Sequence, residues 1–127
     1  MSTKRSILIV DDEFGLAEML REMLRESGYE VTLAINGRLA FEILGEGRVD
    51  LVLTDMMMPV MDGVELATAM RRDDQHRRTP IIMMTSLPTA LPPQPEGLFD
   101  AVLRKPFTPD LLLETMNSCL GDRGKRN

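Results

Sequence analysis

The stretch D-L-V-L-T-D-M-M-M-P-V-M-D-G, residues 50–63, decides the fold. It opens with a short apolar run, 51–53, of the kind that forms a strand buried on both faces of a parallel sheet. Asp55 stands at the carboxyl end of that run, and Asp62-Gly63 marks a turn before a helical pattern begins. Because ligands bind outside the carboxyl ends of the strands in open α/β sheets, Asp55 is a candidate functional carboxylate. The structural alternative is that Asp55 caps the strand end or the next helix.

Similar apolar runs recur along the chain and alternate with helical patterns. The predicted strands are residues 6–10, 29–35, 51–53, 81–84 and 101–103. The helical patterns follow the first three strands and the last one, and Thr108-Pro109 is a suitable cap and first turn for the last helix. Such alternation implies right-handed parallel crossovers. We therefore predict an α/β fold with a doubly wound, five-stranded parallel sheet of flavodoxin-like order 2-1-3-4-5.

Composition limits the classes of protein that fit. A length of 127 residues suits one domain with a real core, and 43% hydrophobic content excludes general disorder. The net charge of -5 argues against a nucleic-acid surface, and the single cysteine, Cys119, fits a reducing compartment. The N-terminal apolar run is too short for a signal peptide or a membrane span. We expect a cytoplasmic protein that binds neither nucleic acid nor membranes.

Three local patterns need an interpretation. Asn36-Gly37 could form a hairpin turn, but the residues after it look helical, so the pair is predicted to link a strand to a helix. His76 lies in an arginine-rich connector, and we predict a solvated surface histidine rather than a phosphate donor. Gly121 is predicted to end the last helix, whose buried stripe includes Leu111, Leu112 and Met116. The domain would then span residues 1–121, followed by a basic, disordered tail at 122–127.

The predicted strand order brings acidic residues together. The first and third strands are neighbours, so Asp11, Asp12 and Asp55 meet at one end of the sheet, joined by Thr85 and Lys105. Two like charges ~4 Å apart repel by about 1 kcal/mol in water, so such a cluster either takes up protons or binds a hard cation. Oxygen ligands without histidine or cysteine favour Mg²⁺ over zinc.

A magnesium ion usually keeps several waters and completes its shell with a phosphate oxygen. The Lys105 amine and the hydroxyls of Thr85 and Ser86 could hold the remaining phosphoryl oxygens, which makes Ser86 a further binding candidate. This is a phosphoryl-transfer constellation in which Asp55 is the nucleophile and forms an aspartyl phosphate. The structural alternatives are a helix-capping pair for Asp11-Asp12, a strand-end hydroxyl for Thr85 and a surface lysine for Lys105.

Four motifs occur in order, each at a strand end. They are V-D-D-E at 10–13, T-D-M-M-M-P-V-M-D-G at 54–63, M-T-S at 84–86 and K-P-F at 105–107. Together they resemble the receiver domain of two-component response regulators, with its chemotaxis-regulator-like fold. The resemblance implies that Asp55 is the phosphoacceptor and that Asp12, Asp55 and the backbone carbonyl of Met57 bind Mg²⁺. Asp11 would assist, usually through water.

The resemblance also implies roles on the other side of the site. Thr85 would bind the phosphoryl group and move on activation, while Lys105 would form an ion pair with a phosphoryl oxygen. The Lys105–Pro106 peptide bond is cis in many members of the family, and a cis bond here would aim the lysine at the site. The donor would be a phosphohistidine on a histidine kinase or a histidine phosphotransfer protein, and the output protein is unknown. Such a domain is a switch rather than an enzyme, although it assists its own phosphoryl transfer and dephosphorylation.

The chain departs from the family pattern at two places. Val102 occupies a position that is usually aromatic, so the usual coupling to the threonine would be absent or altered. Segment 87–98 contains four prolines, and an interior proline costs a helix about 3 kcal/mol. We expect the fourth of five helices to be missing or reduced, replaced by a mobile or polyproline-like loop. These departures motivate an alternative function, a phosphorylation-independent interaction module.

Met57 bears on two further hypotheses. An aspartate-nucleophile phosphatase would carry a second aspartate two residues after the nucleophile, where this chain has Met57. The hypothesis of an aspartate-nucleophile phosphatase is therefore disfavoured. The apolar side chain of Met57 could instead restrict the attacking water and lengthen the lifetime of the phosphoryl group.

Overall fold

The computed structural model describes residues 4–86 and 97–125, with side chains described as far as Gly121. The strands are β1 (Ser6–Val10), β2 (Glu30–Ala34), β3 (Leu51–Asp55), β4 (Ile81–Thr85) and β5 (Ala101–Arg104), and the helices are α1 (Phe14–Glu26), α2 (Gly37–Leu44), α3 (Gly63–Arg71) and α4 (Pro109–Lys125). All strand pairs are parallel, and the order is β2-β1-β3-β4-β5. The predicted fold class is therefore confirmed. Within the described residues, no helix is long and apolar enough to cross a membrane.

The three central strands are buried on both faces because helices cover each side of the sheet. On one side, Ile7 and Leu53 pack with residues of α1 and α4 such as Leu20 and Met116. On the other side, alternate residues of the same strands pack with α2 and α3. This alternation follows from the two-residue period of a strand. Because all strands run parallel, the carboxyl ends of β1, β3, β4 and β5 lie at one edge of the sheet.

Two helix starts match the local sequence chemistry. The Asn36 side chain accepts a hydrogen bond of 2.8 Å from the Leu39 amide, so Asn36 caps α2 and the strand-to-helix interpretation is confirmed. Asp62 accepts from the Glu65 amide at 2.8 Å, and the Glu65 side chain accepts from the Asp62 amide at 3.0 Å. This reciprocal pair fixes the start of α3 directly after the loop that follows β3.

The last helix differs from its prediction. It continues past Gly121 to Lys125, since each of its two glycines, Gly121 and Gly124, costs a helix only about 1 kcal/mol and no proline follows Gly121. Leu111 is 45% exposed, and the buried stripe is instead Leu112, Met116 and Leu120 at a spacing of four. The expected basic tail stays a prediction. The reduced helix expected between β4 and β5 lies mostly at 87–96, outside the described residues.

His76 is buried, which contradicts the predicted solvated role. Only 3% of it is exposed, and its Nε2 lies 2.7 Å from the Leu44 carbonyl oxygen at the end of α2. Its Nδ1 lies 3.0 Å from the Thr79 hydroxyl. Because a carbonyl oxygen only accepts, Nε2 donates to the Leu44 carbonyl. His76 therefore joins α2 to the α3–β4 connection, at the edge of the sheet opposite the acidic residues.

Replacing His76 by alanine is expected to lower the free energy of unfolding by about 2–3 kcal/mol, because two buried polar groups lose their partner and a cavity forms. Urea denaturation followed by circular dichroism measures this change. Arg78→Ala, at an exposed position in the same connector, is the control and should change the free energy by less than about 0.5 kcal/mol. Equal stabilities for the two variants would contradict the assigned role.

Val60 adopts an unfavourable backbone conformation in the loop between β3 and α3. Its φ is 72°, and the Met61 amide donates to the Pro59 carbonyl at 2.8 Å, which forms the strained type of γ-turn. The side chain is 72% exposed, so its packing offsets little of this strain. A β-branched residue in this region is a genuine outlier.

Val60→Gly is therefore expected to raise the free energy of unfolding by about 0.5–1 kcal/mol. Loss of the β-carbon removes a left-handed penalty of about 1–2 kcal/mol, and the larger backbone entropy that glycine loses on folding offsets part of this gain. Val60→Ala keeps the β-carbon and should gain much less. Thermal unfolding of the three proteins ranks them, and a less stable glycine variant would show that the valine is not strained.

Candidate functional site

Three carboxylates meet at the carboxyl edge of the sheet. Asp11 and Asp12 follow β1, and Asp55 ends β3, the neighbouring strand. One carboxylate oxygen from each of the three lies within 4.8 Å of the others. Asp11 is 1% exposed and Asp55 8% exposed, whereas Asp12 is open to solvent. The predicted convergence is confirmed, and its oxygen-only donors fit a hard divalent cation.

Lys105 reaches the same cluster from the loop after β5. Its Nζ lies 3.2 Å from Asp11 Oδ2, 3.5 Å from Asp55 Oδ2 and 3.9 Å from Glu13 Oε1. Only 14% of its side chain is exposed. This one ammonium group contacts three carboxylates, and Asp12 adds a fourth carboxylate to the cluster, so the site keeps an excess of negative charge. The Lys105–Pro106 bond is cis, as the resemblance implied.

Burial raises the pKa of Asp55 above its usual value of 3.8, and the Asp11 carboxylate raises it further. The Lys105 ammonium and the Met56 amide act in the opposite direction. That amide donates to Asp55 Oδ1 at 2.9 Å. The ionised form of Asp55 is therefore costly in this pocket unless a cation accompanies it.

The loop after β3 is tied back to the sheet. The Met56 amide also donates to the Met84 carbonyl at 2.9 Å, and the Gly63 amide donates to the Met56 carbonyl at 3.0 Å. Met56 is accordingly buried at 8% exposure, while the next side chain, Met57, is 66% exposed. The Met57 side chain is thus open to solvent two residues after Asp55, a position that we call the rim of the acidic pocket.

The two hydroxyl candidates lie at the end of β4. Thr85 is 2% exposed, and its carbonyl accepts a hydrogen bond of 2.8 Å from the Lys105 amide. Ser86 is exposed and, with Lys105, lines a groove. The structure thus places both candidates beside Lys105, and their roles toward a phosphoryl group stay predictions.

Sequence reasoning missed two features of the site. Glu13 contacts Lys105, and the only signal for it was its position next to Asp12 in the V-D-D-E motif. The groove beside Lys105, about 540 Å³ in volume, had no signal because it forms between distant segments. Its walls are α1 and the loop after β5, lined by Leu16, Met19, Leu20, Met23, Pro106 and Phe107.

Comparison with known families decides what kind of domain this is. Residues 7–117 match the response regulator receiver domain. The chain belongs to that family. Response regulator receiver domains act in two-component signal transduction. The acidic cluster and the lysine after β5 therefore belong to a receiver fold.

Solved receiver structures agree with this one over nearly the whole chain. The chemotaxis response regulator CheY4 of Vibrio cholerae is 34% identical, with a TM-score of 0.82 over 93% of this chain and 100% of that one. The receiver domain of sensor histidine kinase PA1611 from Pseudomonas aeruginosa is 31% identical, with a TM-score of 0.83 over 94% of this receiver and 99% of that domain. That structure has a magnesium ion coordinated in its active site cleft.

A curated relative is longer than this receiver. The transcriptional regulatory protein SrrA of Staphylococcus aureus is 41% identical over 80 residues, which are 63% of this chain and 32% of SrrA. The similarity therefore spans about a third of SrrA.

Proposed function

We propose that Asp55 accepts a phosphoryl group, with Mg²⁺, from a phosphohistidine on a histidine kinase or a histidine phosphotransfer protein, and that this switches partner binding. One observation carries the proposal. Carboxylate oxygens of Asp11, Asp12 and Asp55 lie within 4.8 Å of one another, and the Lys105 ammonium contacts two of these groups. Such an arrangement suits phosphoryl transfer, in which charge on the moving group must be neutralised.

Each residue has a role in that transfer. Asp12, Asp55 and the Met57 carbonyl would hold Mg²⁺, with Asp11 acting through water. The bound ion would neutralise negative charge between Asp55 and the incoming phosphoryl group. The Asp55 carboxylate attacks phosphorus, the bond from phosphorus to the donor imidazole breaks, and the imidazole leaves. Lys105, and the hydroxyls of Thr85 and Ser86, bind the phosphoryl oxygens.

The switch follows from competition for Lys105. Its ammonium lies between Asp11 and Asp55, at 3.2 and 3.5 Å, before phosphorylation. The phosphoryl group adds negative charge and strong acceptor oxygens at Asp55, so Lys105 and the neighbouring Thr85 gain a new partner. A conformation in which Lys105 and Thr85 both reach the phosphoryl group is then stabilised relative to the conformation of the unphosphorylated protein. This difference in stability is sufficient to shift the populations of the two conformations.

Val102 supports the alternative, a receiver-like module that binds partners without phosphorylation. This valine lies on the edge strand β5 and is 43% exposed. It has no aromatic ring that could turn inward when Thr85 moves, so the usual route from the site to that surface is changed. The proposal and the alternative differ in what a phosphoryl mimic does.

Beryllofluoride with Mg²⁺ tests the proposal through amide NMR spectra of the isotope-labelled protein. We expect shifts in the loops after β1 and β3, at Thr85 and Lys105, and also outside the pocket along β5, with none in Asp55→Asn. Unchanged spectra in a folded wild type would favour the alternative. Shifts confined to the pocket would indicate binding without switching.

Met57→Asn is expected to shorten the half-life of the phosphorylated protein by roughly tenfold, about 1.4 kcal/mol in the barrier to hydrolysis. The reason is that an amide at the rim can hold the attacking water, whereas the thioether excludes it. Loss of radiolabel after removal of the phosphodonor measures the half-life. Val60→Asn, three residues further along the same loop, controls for added polarity, and an unchanged half-life in Met57→Asn would refute the role of Met57.

A further inference from the structure

We propose that Met57 is a site of reversible oxidation by peroxide, and that its sulfoxide shortens the lifetime of the phosphoryl group on Asp55. This inference rests on the proposed function, because it concerns the stability of the same aspartyl phosphate. It would connect the oxidant level around the protein to the duration of its signal.

Accessibility selects Met57 among the methionines. An oxidant must reach the sulfur, and oxidation of methionine follows exposure. Met57 is 66% exposed and Met19 64% exposed. The other methionines with described side chains are buried or partly buried, and Met70, Met83, Met84 and Met116 are each 0% exposed. Peroxide should therefore modify Met57 and Met19 well before the core.

Position separates Met57 from Met19. Met57 follows Asp55 by two residues, and the hydrogen bonds of Met56 to Asp55, Met84 and Gly63 fix the backbone just before it. Met19 lies on α1 and lines the groove beside Lys105. Of the two exposed thioethers among the described side chains, Met57 is the one on the loop that follows Asp55. Met19 is thus a matched internal control with the same exposure.

Hydrogen peroxide is the oxidant in the proposed oxidation of Met57. Hydrogen peroxide transfers one oxygen atom to the Met57 sulfur, which loses two electrons and becomes a sulfoxide, while the peroxide is reduced to water. A reductase can reverse this change, since methionine sulfoxide is a substrate of dedicated reductases. The side chain keeps its length but changes from apolar to strongly polar.

The effect on hydrolysis follows from that change in polarity. When the phosphorylated protein hydrolyses, a water oxygen attacks phosphorus, the bond from phosphorus to the Asp55 oxygen breaks, and inorganic phosphate leaves with the proton passing to solvent. A thioether at the rim offers this water no strong hydrogen bond. A sulfoxide oxygen accepts one and can hold the water near phosphorus. We expect the half-life to fall by about fivefold, which corresponds to about 1 kcal/mol in the barrier.

The experiment compares wild type, Met57→Leu and Met19→Leu, each with and without hydrogen peroxide. After the peroxide is quenched, each protein is phosphorylated with acetyl phosphate and Mg²⁺, the donor is removed and the label is followed. Peptide mass spectrometry reports which methionines are oxidised, and circular dichroism reports the fold. Peroxide should shorten the half-life in wild type and Met19→Leu but not in Met57→Leu, and methionine sulfoxide reductase should restore it.

Three results would overturn the inference. The first is an unchanged half-life in protein whose Met57 is fully oxidised. The second is oxidation of Met19 without oxidation of Met57, and the third is an equal loss of lifetime in Met57→Leu. Failure of the untreated, folded wild type to take up label at all would instead refute the proposed function, and the inference with it.

Discussion

Gly63→Ala is expected to lower the free energy of unfolding by about 3 kcal/mol, the upper range for overpacking a close-packed interior. A β-carbon at this position would overlap the backbone carbonyl oxygen of Asp55 and lie 3.0 Å from both the sulfur and the methyl carbon of Met83. The Asp55 carbonyl oxygen belongs to the backbone of β3 and cannot move without shifting the proposed phosphoacceptor. Relief by moving α3 would break the hydrogen bond from the Gly63 amide to the Met56 carbonyl, 3.0 Å long.

Gly15→Ala is the matched control for this prediction. Gly15 lies in the first turn of α1, and a β-carbon there would meet no atom within 4 Å. Alanine is the better helix former by up to about 1 kcal/mol, so this variant should be slightly more stable than wild type. Urea denaturation of both variants separates crowding from helix propensity. A Gly63→Ala variant as stable as wild type would mean that α3 and β3 are less closely packed than described.

Asp55→Asn is expected to stabilise the metal-free protein at neutral pH by about 1 kcal/mol, the scale of one like-charge contact that is relieved. Asparagine keeps the size of the side chain and removes a buried charge from beside Asp11. Saturating Mg²⁺ should reverse the order, because a ligand at 100 times its dissociation constant adds about 2.7 kcal/mol to a protein that binds it. The variant should gain much less, since it lacks one metal-binding carboxylate.

Without metal, the difference in stability between Asp55→Asn and the wild type should depend on pH. The pKa of Asp55 is raised in the folded protein, chiefly by burial, so the folded state binds the Asp55 proton more tightly than the unfolded state. Stability from this group is present below the unfolded value of 3.8 and is lost as the pH rises through the raised folded value. The advantage of Asp55→Asn should therefore vanish at acid pH and reach its full size above that window.

Asp100→Asn makes the same chemical change with the opposite expected result. The Asp100 carboxylate accepts a hydrogen bond of 2.8 Å from the Ile81 amide and one of 2.9 Å from Arg71. Its neutralisation should destabilise the protein by about 1 kcal/mol, because a charge-assisted bond is weakened. Thermal unfolding of both variants with and without Mg²⁺ measures these effects. Destabilisation by Asp55→Asn in metal-free protein would show that the pocket prefers the ionised carboxylate.

The sequence predicted the sheet because its signals are local. The central strands appear as continuous apolar runs, and the alternation with helices leaves few strand orders to choose from. Once the order is known, the positions of Asp11, Asp55 and Lys105 follow from their places at strand ends. The acidic cluster and its lysine could therefore be predicted from the sequence.

Features that depend on how distant segments dock could not be predicted. His76 has charged neighbours in sequence, yet its ring is buried because the connector folds onto the end of α2. Leu111 was predicted to belong to the buried stripe of the last helix, but the rotation of α4 against the sheet leaves it exposed and buries Leu120 on the other face of the helix. The backbone strain at Val60 likewise could not be predicted, because valine rarely adopts a positive φ and nothing in the sequence marks this position as an exception.

The central claim is that Asp55 is a phosphoacceptor, and mass spectrometry of the intact protein after incubation with acetyl phosphate and Mg²⁺ tests it most directly. We predict one phosphoryl group per chain, bound as a hydroxylamine-sensitive acyl phosphate on the peptide that contains Asp55. Phosphorylation should require Mg²⁺ and should be absent from Asp55→Asn. An unmodified wild type that is folded and saturated with Mg²⁺, or an equal label on Asp55→Asn, would contradict the claim.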